Sequence, residues 1–503
     1  VADNVAVPQA RIALVVVAAL VLVVAGTIVL RGDDAGDVGS RSSVGRAGAG
    51  DAVDADELSS ALRRAVSLPG IMEHLRALQD IADDNDGNRS AGTSGYDESA
   101  SYVASQLRDA GYEVELQEFD VPVFVHHSDP VLAESGPGGE TFDDGAEFAV
   151  MLYSGSGESS AVVTPVDFDA SARVSTSGCE TSDFAGFHEG AIALVRRGNC
   201  FFRDQAINAE QAGASAVLIA QEPGSDVVLR GTLTPDSGVG IPAVGISNEL
   251  GRELSSGEDL LSVSVDASVE ERPTHNLLAE TSTGNEDEVI MAGAHLDSVP
   301  AGPGINDNGS GVATILEVAK EIVSLDPPTR IRFAFWGAEE FGLIGSAHYV
   351  TNLSTSEQDQ IAGYLNFDML GSPNYVRFVY EGRRAGAGSV EASTAIQDLF
   401  ENYFADENLE TDVIGLEGRS DHAFFDRVGI PVGGLFSGAD DIKTQAEAST
   451  YGGKVGEIHD ACYHQSCDTL DNVNRDVLDE LADGVAHAVA TLAADPDVVN
   501  RDG

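Results

Sequence analysis

Ile290-Met-Ala-Gly-Ala-His-Leu-Asp297, Phe333-Ala-Phe-Trp-Gly-Ala-Glu-Glu340 and Tyr364-Leu-Asn-Phe-Asp368 decide the fold of this chain. Each starts as a short apolar run of strand type and stops abruptly at histidine or carboxylate. Around them, strands are expected over Glu288–Ala294, Ile331–Trp336, Ile361–Phe367 and Pro431–Leu435. Helical periodicity marks Gly311–Ser324, Leu343–Asn352, Ala392–Phe404 and Asp476–Ala493. Strand and helix in alternation predict an α/β sheet with helices on both faces. Sites in open α/β sheets form outside the carboxyl ends of the strands. His295, Asp297, Glu339, Glu340 and Asp368 should therefore gather at one edge of that sheet. Singly, a His-x-Asp or a Glu-Glu pair in an acidic chain means little; three strands ending this way carry weight together.

Upstream, Leu58, Leu62 and Val66 keep helical spacing up to a break at Pro69-Gly70, and Ile71, Leu75, Leu78 and Ala82 resume it. A helix over Tyr96–Ala110 should close on Gly111, followed by a strand over Glu113–Phe119. From about Gly136 to Val269 the texture changes to short apolar runs separated by Gly, Ser and Asp. Strands are expected there at Ala191–Arg197, Ala216–Gln221 and Ile241–Ile246, and one helix at Gln205–Ala212. The segment holds no cluster of histidine and carboxylate. Its stretches Gly190-Ala-Ile-Ala-Leu-Val-Arg-Arg-Gly-Asn-Cys-Phe-Phe202, Gln211-Ala-Gly-Ala-Ser-Ala-Val-Leu-Ile219 and Gly240-Ile-Pro-Ala-Val-Gly-Ile246 resemble the protease-associated domain, a small β-rich module. The resemblance implies a role in substrate access or protein contact; the alternative is a spacer that only packs on an enzyme. The expected division is an apolar segment and tether (1–56), the first part of a main domain (57–135), a β-rich insertion (136–269), the remainder of the main domain (270–495) and a tail (496–503).

The chain has 28 Lys plus Arg against 83 Asp plus Glu, a net charge of −55, and its lysines are Lys320, Lys443 and Lys454. Phosphate neutralisation needs a basic patch, so nucleic acid is excluded as a partner. Acids spread along periodic segments rather than in a tail read as adaptation to a saline medium, where screening limits self-repulsion. Ile12–Leu30 is an uncharged apolar run between Arg11 and Arg31, about 28 Å long if helical and close to one hydrocarbon thickness. It is expected to act as a signal anchor or a cleaved signal peptide, and either means export to an extracellular location, with membrane contact through this segment alone. Arg31, Arg41 and Arg46 follow the run, the reverse of positive-inside placement. The cysteines favour export all the same. Cys179, Cys200, Cys462 and Cys467 form two local pairs without a Cys-x-x-Cys spacing, which reads as two disulfides rather than a thiolate zinc site.

Taken in order, Ala294-His-Leu-Asp-Ser298, Gly304-Ile-Asn-Asp-Asn-Gly-Ser-Gly311, Phe335-Trp-Gly-Ala-Glu-Glu-Phe-Gly-Leu-Ile-Gly-Ser346, Asn366-Phe-Asp-Met369, Arg419-Ser-Asp-His422 and Cys462-Tyr-His-Gln-Ser-Cys467 resemble the secreted bacterial leucine aminopeptidases and their wider family of zinc peptidases, which includes glutamate carboxypeptidases. The resemblance implies a mixed, mainly parallel sheet and two Zn2+ ions acting on peptide substrates. It makes His295 and Asp368 terminal ligands of one zinc, Glu340 and His464 of the other, and Asp307 the bridge. Imidazole nitrogen and carboxylate oxygen are donors that zinc accepts. Glu339 takes the place of the general base, Tyr463 that of an oxyanion-stabilising hydroxyl, and Asp297 orients His295. Met369 matches a residue lining the substrate pocket, with core packing as the alternative reading, and Asp421 and His422 match an element near the site. Calcium is in doubt: Asp479 and Asp483 match positions that bind it in some relatives, but the acidic partner expected near the enzyme's N-terminus falls on Ala65.

The expected activity is removal of N-terminal residues from peptides. A carboxypeptidase of the same family would need a cation for the substrate carboxylate, and Arg419 is the one obvious candidate beside the motifs. A glutaminyl cyclase would differ in its number of catalytic zincs. An inactive binding protein on the same scaffold is recognised by lost ligands, and here every position is filled.

Overall fold

The computed structural model describes residues 54–499 apart from 137, 170, 172–174, 224–226, 236, 257–258 and 417. The apolar run Ile12–Leu30 and the tether as far as residue 53 lie outside the described residues. Among those described, no helix is long and apolar enough to cross a membrane.

The main sheet has eight strands in the spatial order Glu113–His126, Ala267–Glu280, Thr329–Trp336, Asn285–His295, Ile361–Phe367, Val432–Phe436, Phe378–Tyr380 and Asp412–Ile414. Its four central strands, from Thr329–Trp336 to Val432–Phe436, run parallel, and the flanks pair antiparallel to them through Ala267–Glu280 on one side and Phe378–Tyr380 on the other. The sheet is mixed α/β, as expected. Central strands covered on both faces lose the polar half of the strand alternation, which is why Ile361–Phe367 is apolar almost throughout and buried at all but one position.

On one face, the helix Gly311–Ile322 has all but two of its twelve residues buried, with Arg475–Ala494 and Ala55–Ala65 packed outside it. On the other, Trp336, Tyr349, Tyr364 and Phe425 form one aromatic cluster, with Tyr364 and Phe425 stacked at 3.9 Å. Each such side chain taken from water contributes roughly 1.5–3 kcal/mol. The break at Pro69-Gly70 is the junction of two helices, Ala55–Ala65 and Leu68–Asp84. Pro69 sits in the first turn of the second, where a missing N–H costs nothing, and Ser67 caps that helix by accepting from the Gly70 amide.

The second sheet has seven strands, in the order Val131–Glu134, Leu260–Val265, Gly157–Pro165, Ile192–Arg196, Ala216–Ala220, Ala243–Ile246 and Phe148–Val150. One strand is much longer than expected. The strand expected over Glu113–Phe119 continues to His126, because each of its residues finds a partner on Ala267–Glu280. Pro122 is tolerated since this strand lies at the sheet's edge and its missing N–H leaves no ladder bond broken. This antiparallel ribbon carries the chain from the large sheet to the small one and back.

Candidate metal centre and active site

Five segments deliver the polar residues to the carboxyl ends of the central strands. His295 closes its strand and is 1% exposed. Its Nδ1 donates to the Asp297 carbonyl at 3.1 Å, which turns Nε2 towards the cluster. The Asp297 carboxylate lies 3.7 Å from that Nδ1 and accepts from the backbone amides of Glu339 at 3.1 Å and Glu340 at 3.3 Å. One buried carboxylate thus ties the loop after His295 to the loop bearing both glutamates.

Asp307 comes from the turn between Gly304 and the helix starting at Gly311. Gly304 is left-handed (φ +61), and a Cβ there would stand 2.4 Å from the Asp307 carbonyl oxygen. The Asp307–Asn308 peptide is cis. Asp468 accepts from the amides of Asn306 at 2.9 Å and Asp307 at 3.0 Å, while Asn308 accepts from Met369 N and donates to Phe367 O. The turn is therefore fastened both to the strand that ends in Asp368 and to the loop after Cys467. Ser420 Oγ donates to Asp368 Oδ2 at 2.6 Å and accepts from Asn366, fixing that carboxylate.

His464 and Tyr463 lie in the turn closed by the Cys462–Cys467 disulfide, and the second bridge is Cys179–Cys200, both as the local pairing leads one to expect. The Tyr463 and His464 rings stack at 3.8 Å. Arg419 is exposed and pairs with Asp440 at 2.9 Å. Asp479 and Asp483 lie on the helix Arg475–Ala494, where Asp483 faces the guanidinium of Arg63 at 3.7 Å, so a protein cation already serves it.

Two triplets of donor atoms converge: His295, Asp307 and Asp368, and Asp307, Glu340 and His464. Asp307 belongs to both and turns a different oxygen to each, Oδ1 being 3.3 Å from His295 Nε2 and Oδ2 3.2 Å from His464 Nε2. Two further edges, 3.5 Å from His295 to Asp368 and 3.0 Å from His464 to Glu340, match the roughly 3.3 Å that separates ligands placed tetrahedrally about a zinc ion with bonds of about 2.0–2.1 Å. Glu340 Oε1 and Asp368 Oδ1 are buried without any hydrogen-bond partner, a cost that a cation would remove. The donor set fits zinc. A third triplet, His295, Glu339 and Glu340, is also within ligand reach, so proximity alone does not divide the two glutamates.

Burial pushes the Glu339 carboxyl well above the ordinary range, with Glu340, Asp421 and Asp368 adding repulsion and His295 opposing it. Glu340 rises to about 7, again mainly through burial. Asp307 goes the other way: against burial, the hydrogen bonds from His295 and His464 hold it below the usual range. His422, with neither ring nitrogen partnered, is driven down to about 4 by burial.

A cavity of about 300 Å³ opens over His295, Asp307, Glu339 and Asp368. Its apolar walls are Met369, Tyr380, Ile414 and Phe436, and Arg419, Tyr463 and His464 complete the rim. Met369 thus both packs in the core and faces the cavity. Tyr380, Phe436, Ser420, Asp468 and the buried Arg89, which donates to the carbonyls of Leu296, Pro303 and Gly304, escape a reading by motif spacing. Only Ser420 lay inside a recognised motif. Arg89 carried one faint signal: it is a basic residue in a chain that has very few.

Residues 276–489 match peptidase family M28, and residues 161–254 match the PA domain. An aminopeptidase of Pseudomonas aeruginosa is 41% identical over 87% of this chain and 83% of its own length. A probable lipoprotein aminopeptidase of Mycobacterium tuberculosis is likewise 41% identical, over 88% of each chain, and a probable leucine aminopeptidase 2 of Aspergillus oryzae is 36% identical over 86% and 85%. Among solved structures, the aminopeptidase from Aneurinibacillus sp. strain AM-1 superposes with a TM-score of 0.67 at 28% identity, covering 86% of this chain and 95% of that one. The zinc aminopeptidase of Bacillus subtilis shares the fold at 24% identity, with a TM-score of 0.65 over 84% and 94%. The chain belongs to peptidase family M28, as an aminopeptidase with an inserted PA domain.

Proposed function

We propose that this aminopeptidase works with two zinc ions and that Asp307 joins them. The observation that carries the reading is the single buried Asp307 carboxylate facing two imidazoles with two different oxygens. His295 and Asp368 complete one site, Glu340 and His464 the other. When bound, the two ions would polarise the scissile carbonyl and bring the pKa of a water molecule towards neutrality.

The protein's own groups do the rest. Both Asp307-centred triplets are complete without Glu339, which leaves it free as the general base: raised by burial, it takes the proton of the attacking water and passes it to the departing amine. Asp297 positions Glu339 by holding its amide. Tyr463, beside His464, supplies a hydroxyl to the developing oxyanion. The cavity walled by Met369, Tyr380, Ile414 and Phe436 takes the side chain of the first residue, and the carboxylates at its base suit that residue's free ammonium group. Arg419 lines the rim as a substrate contact, but its pairing with Asp440 argues against the carboxylate-binding role a carboxypeptidase would need. The inserted module is taken as 136–269 within a peptidase domain of 57–135 and 270–495.

Two disulfides, with no free cysteine, support an oxidising compartment, and the lipoprotein relative supports a secreted or surface-anchored protein. The test is hydrolysis of leucine p-nitroanilide and of its N-acetylated form by purified protein, with and without chelator, alongside zinc analysis. Turnover of the free-amine substrate only, lost with chelator and restored by two zinc per chain, is expected. Equal turnover of the blocked substrate, or full activity after metal removal, would overturn the reading.

A further inference from the structure

A second cavity, of about 460 Å³, borders the same centre, with Glu340 and His464 in its lining. His464 lines both cavities. Val299 and Pro300, in the loop after the strand ending at His295, make one wall. The inserted domain adds Leu152 and Arg230 to the lining, and the ribbon adds Phe124. This part of the lining is built rather than loosely apposed. The Leu152 amide donates to the Gly231 carbonyl and its carbonyl accepts from Leu233, each at 2.9 Å, Arg230 donates to the Gly145 carbonyl at 3.1 Å, and the Phe124 ring packs on Tyr153.

Resting on the reading above, we propose that this second cavity receives the residue behind the scissile bond, and that the inserted domain thereby gives the enzyme a preference for an apolar second residue. The first cavity holds the N-terminal residue, so the remainder of the peptide has to leave across the metals. The cavity sharing His464 lies on that path. Phe124, Leu152, Val299 and Pro300 offer an apolar side chain a partly desolvated surface, which a glycine in the same place would not use. Discrimination from one apolar side chain in such a site is about tenfold or more.

The experiment compares kcat/KM of the zinc-loaded enzyme on leucinamide, Leu-Gly-Gly and Leu-Phe-Gly. Leucinamide releases ammonia and places nothing in the second cavity, so it reports the chemistry alone. Leu-Phe-Gly should exceed Leu-Gly-Gly by about tenfold, and Leu152→Asp should bring that ratio close to one. Because Leu152→Asp can disturb folding, product inhibition of the unaltered enzyme is measured too: Phe-Gly should inhibit about tenfold more strongly than Gly-Gly. Equal rates on the two tripeptides, equal inhibition by the two dipeptides, or a preference that survives in a folded Leu152→Asp enzyme would overturn this inference while leaving the aminopeptidase reading intact. No turnover of leucinamide or either tripeptide would remove the reading on which it rests.

Discussion

Glu339→Gln separates the two adjacent glutamates. The substitution keeps size and shape, and the Glu339 amide still donates to Asp297. What it removes is a buried carboxylate whose proton affinity is raised. Glu339 Oε2 lies 4.0 Å from His295 Nε2, farther than Asp307 at 3.3 Å or Asp368 at 3.5 Å. Both Asp307-centred triplets survive the change, so zinc content should stay at two per chain. Losing a positioned proton acceptor should lower kcat by about 10²–10⁴, equivalent to about 2.7–5.4 kcal/mol. Glu340→Gln and His464→Ala, by contrast, each take a donor from one triplet and should lose one zinc. The assay is kcat on leucine p-nitroanilide with zinc measured on the same dialysed sample. A Glu339→Gln enzyme that binds one zinc would show that the third triplet, with His295 and both glutamates, is the real one.

Three further outcomes are expected. Arg89→Met strands the carbonyls of Leu296, Pro303 and Gly304, at about 1–3 kcal/mol each, or about 3–9 kcal/mol against a total stability of about 5–15 kcal/mol. Thermal unfolding should drop steeply, and a loss below about 1 kcal/mol would deny Arg89 this role. His422 is buried neutral with its pKa depressed to about 4, so between about pH 6.5 and 4 the unfolded state binds more protons and stability falls as pH falls, by about 3 kcal/mol for this group. Denaturant titrations should give a flatter profile over that range for His422→Gln, and an unchanged slope would clear His422. A net charge of −55 should make the unfolding midpoint climb between about 0.1 M and about 3 M NaCl, as the screening length falls from about 10 Å to below about 3 Å, with zinc content nearly constant; a flat midpoint would mean that the acidic surface is not an adaptation to salt.

Short-range pattern determined a great deal here. Strand and helix periodicity placed the central strands to within a few residues, because strands buried on both faces must be apolar and must stop where polar groups begin. His295, Glu340, Asp307, Asp368 and His464 were legible as candidates through the ordered motifs that resemble the zinc peptidases, at strand ends, in the turn before Gly311 and in a disulfide-closed turn. Tertiary structure alone decided what depends on partners distant in sequence. Residues 120–126 continue the strand because Ala267–Glu280 pairs with them, although Pro122 interrupts the alternation of Val121, Val123 and Val125. Asp468 grips the Asp307 turn from about 160 positions away, and Arg89 binds three carbonyls more than 200 positions along the chain. Asp297, expected to orient His295, meets its ring with the backbone carbonyl, while its carboxylate accepts from the amides of both glutamates, a division of labour that no spacing announces. Buried polar groups must find partners wherever the fold leaves donors and acceptors, and sequence spacing carries no record of that search.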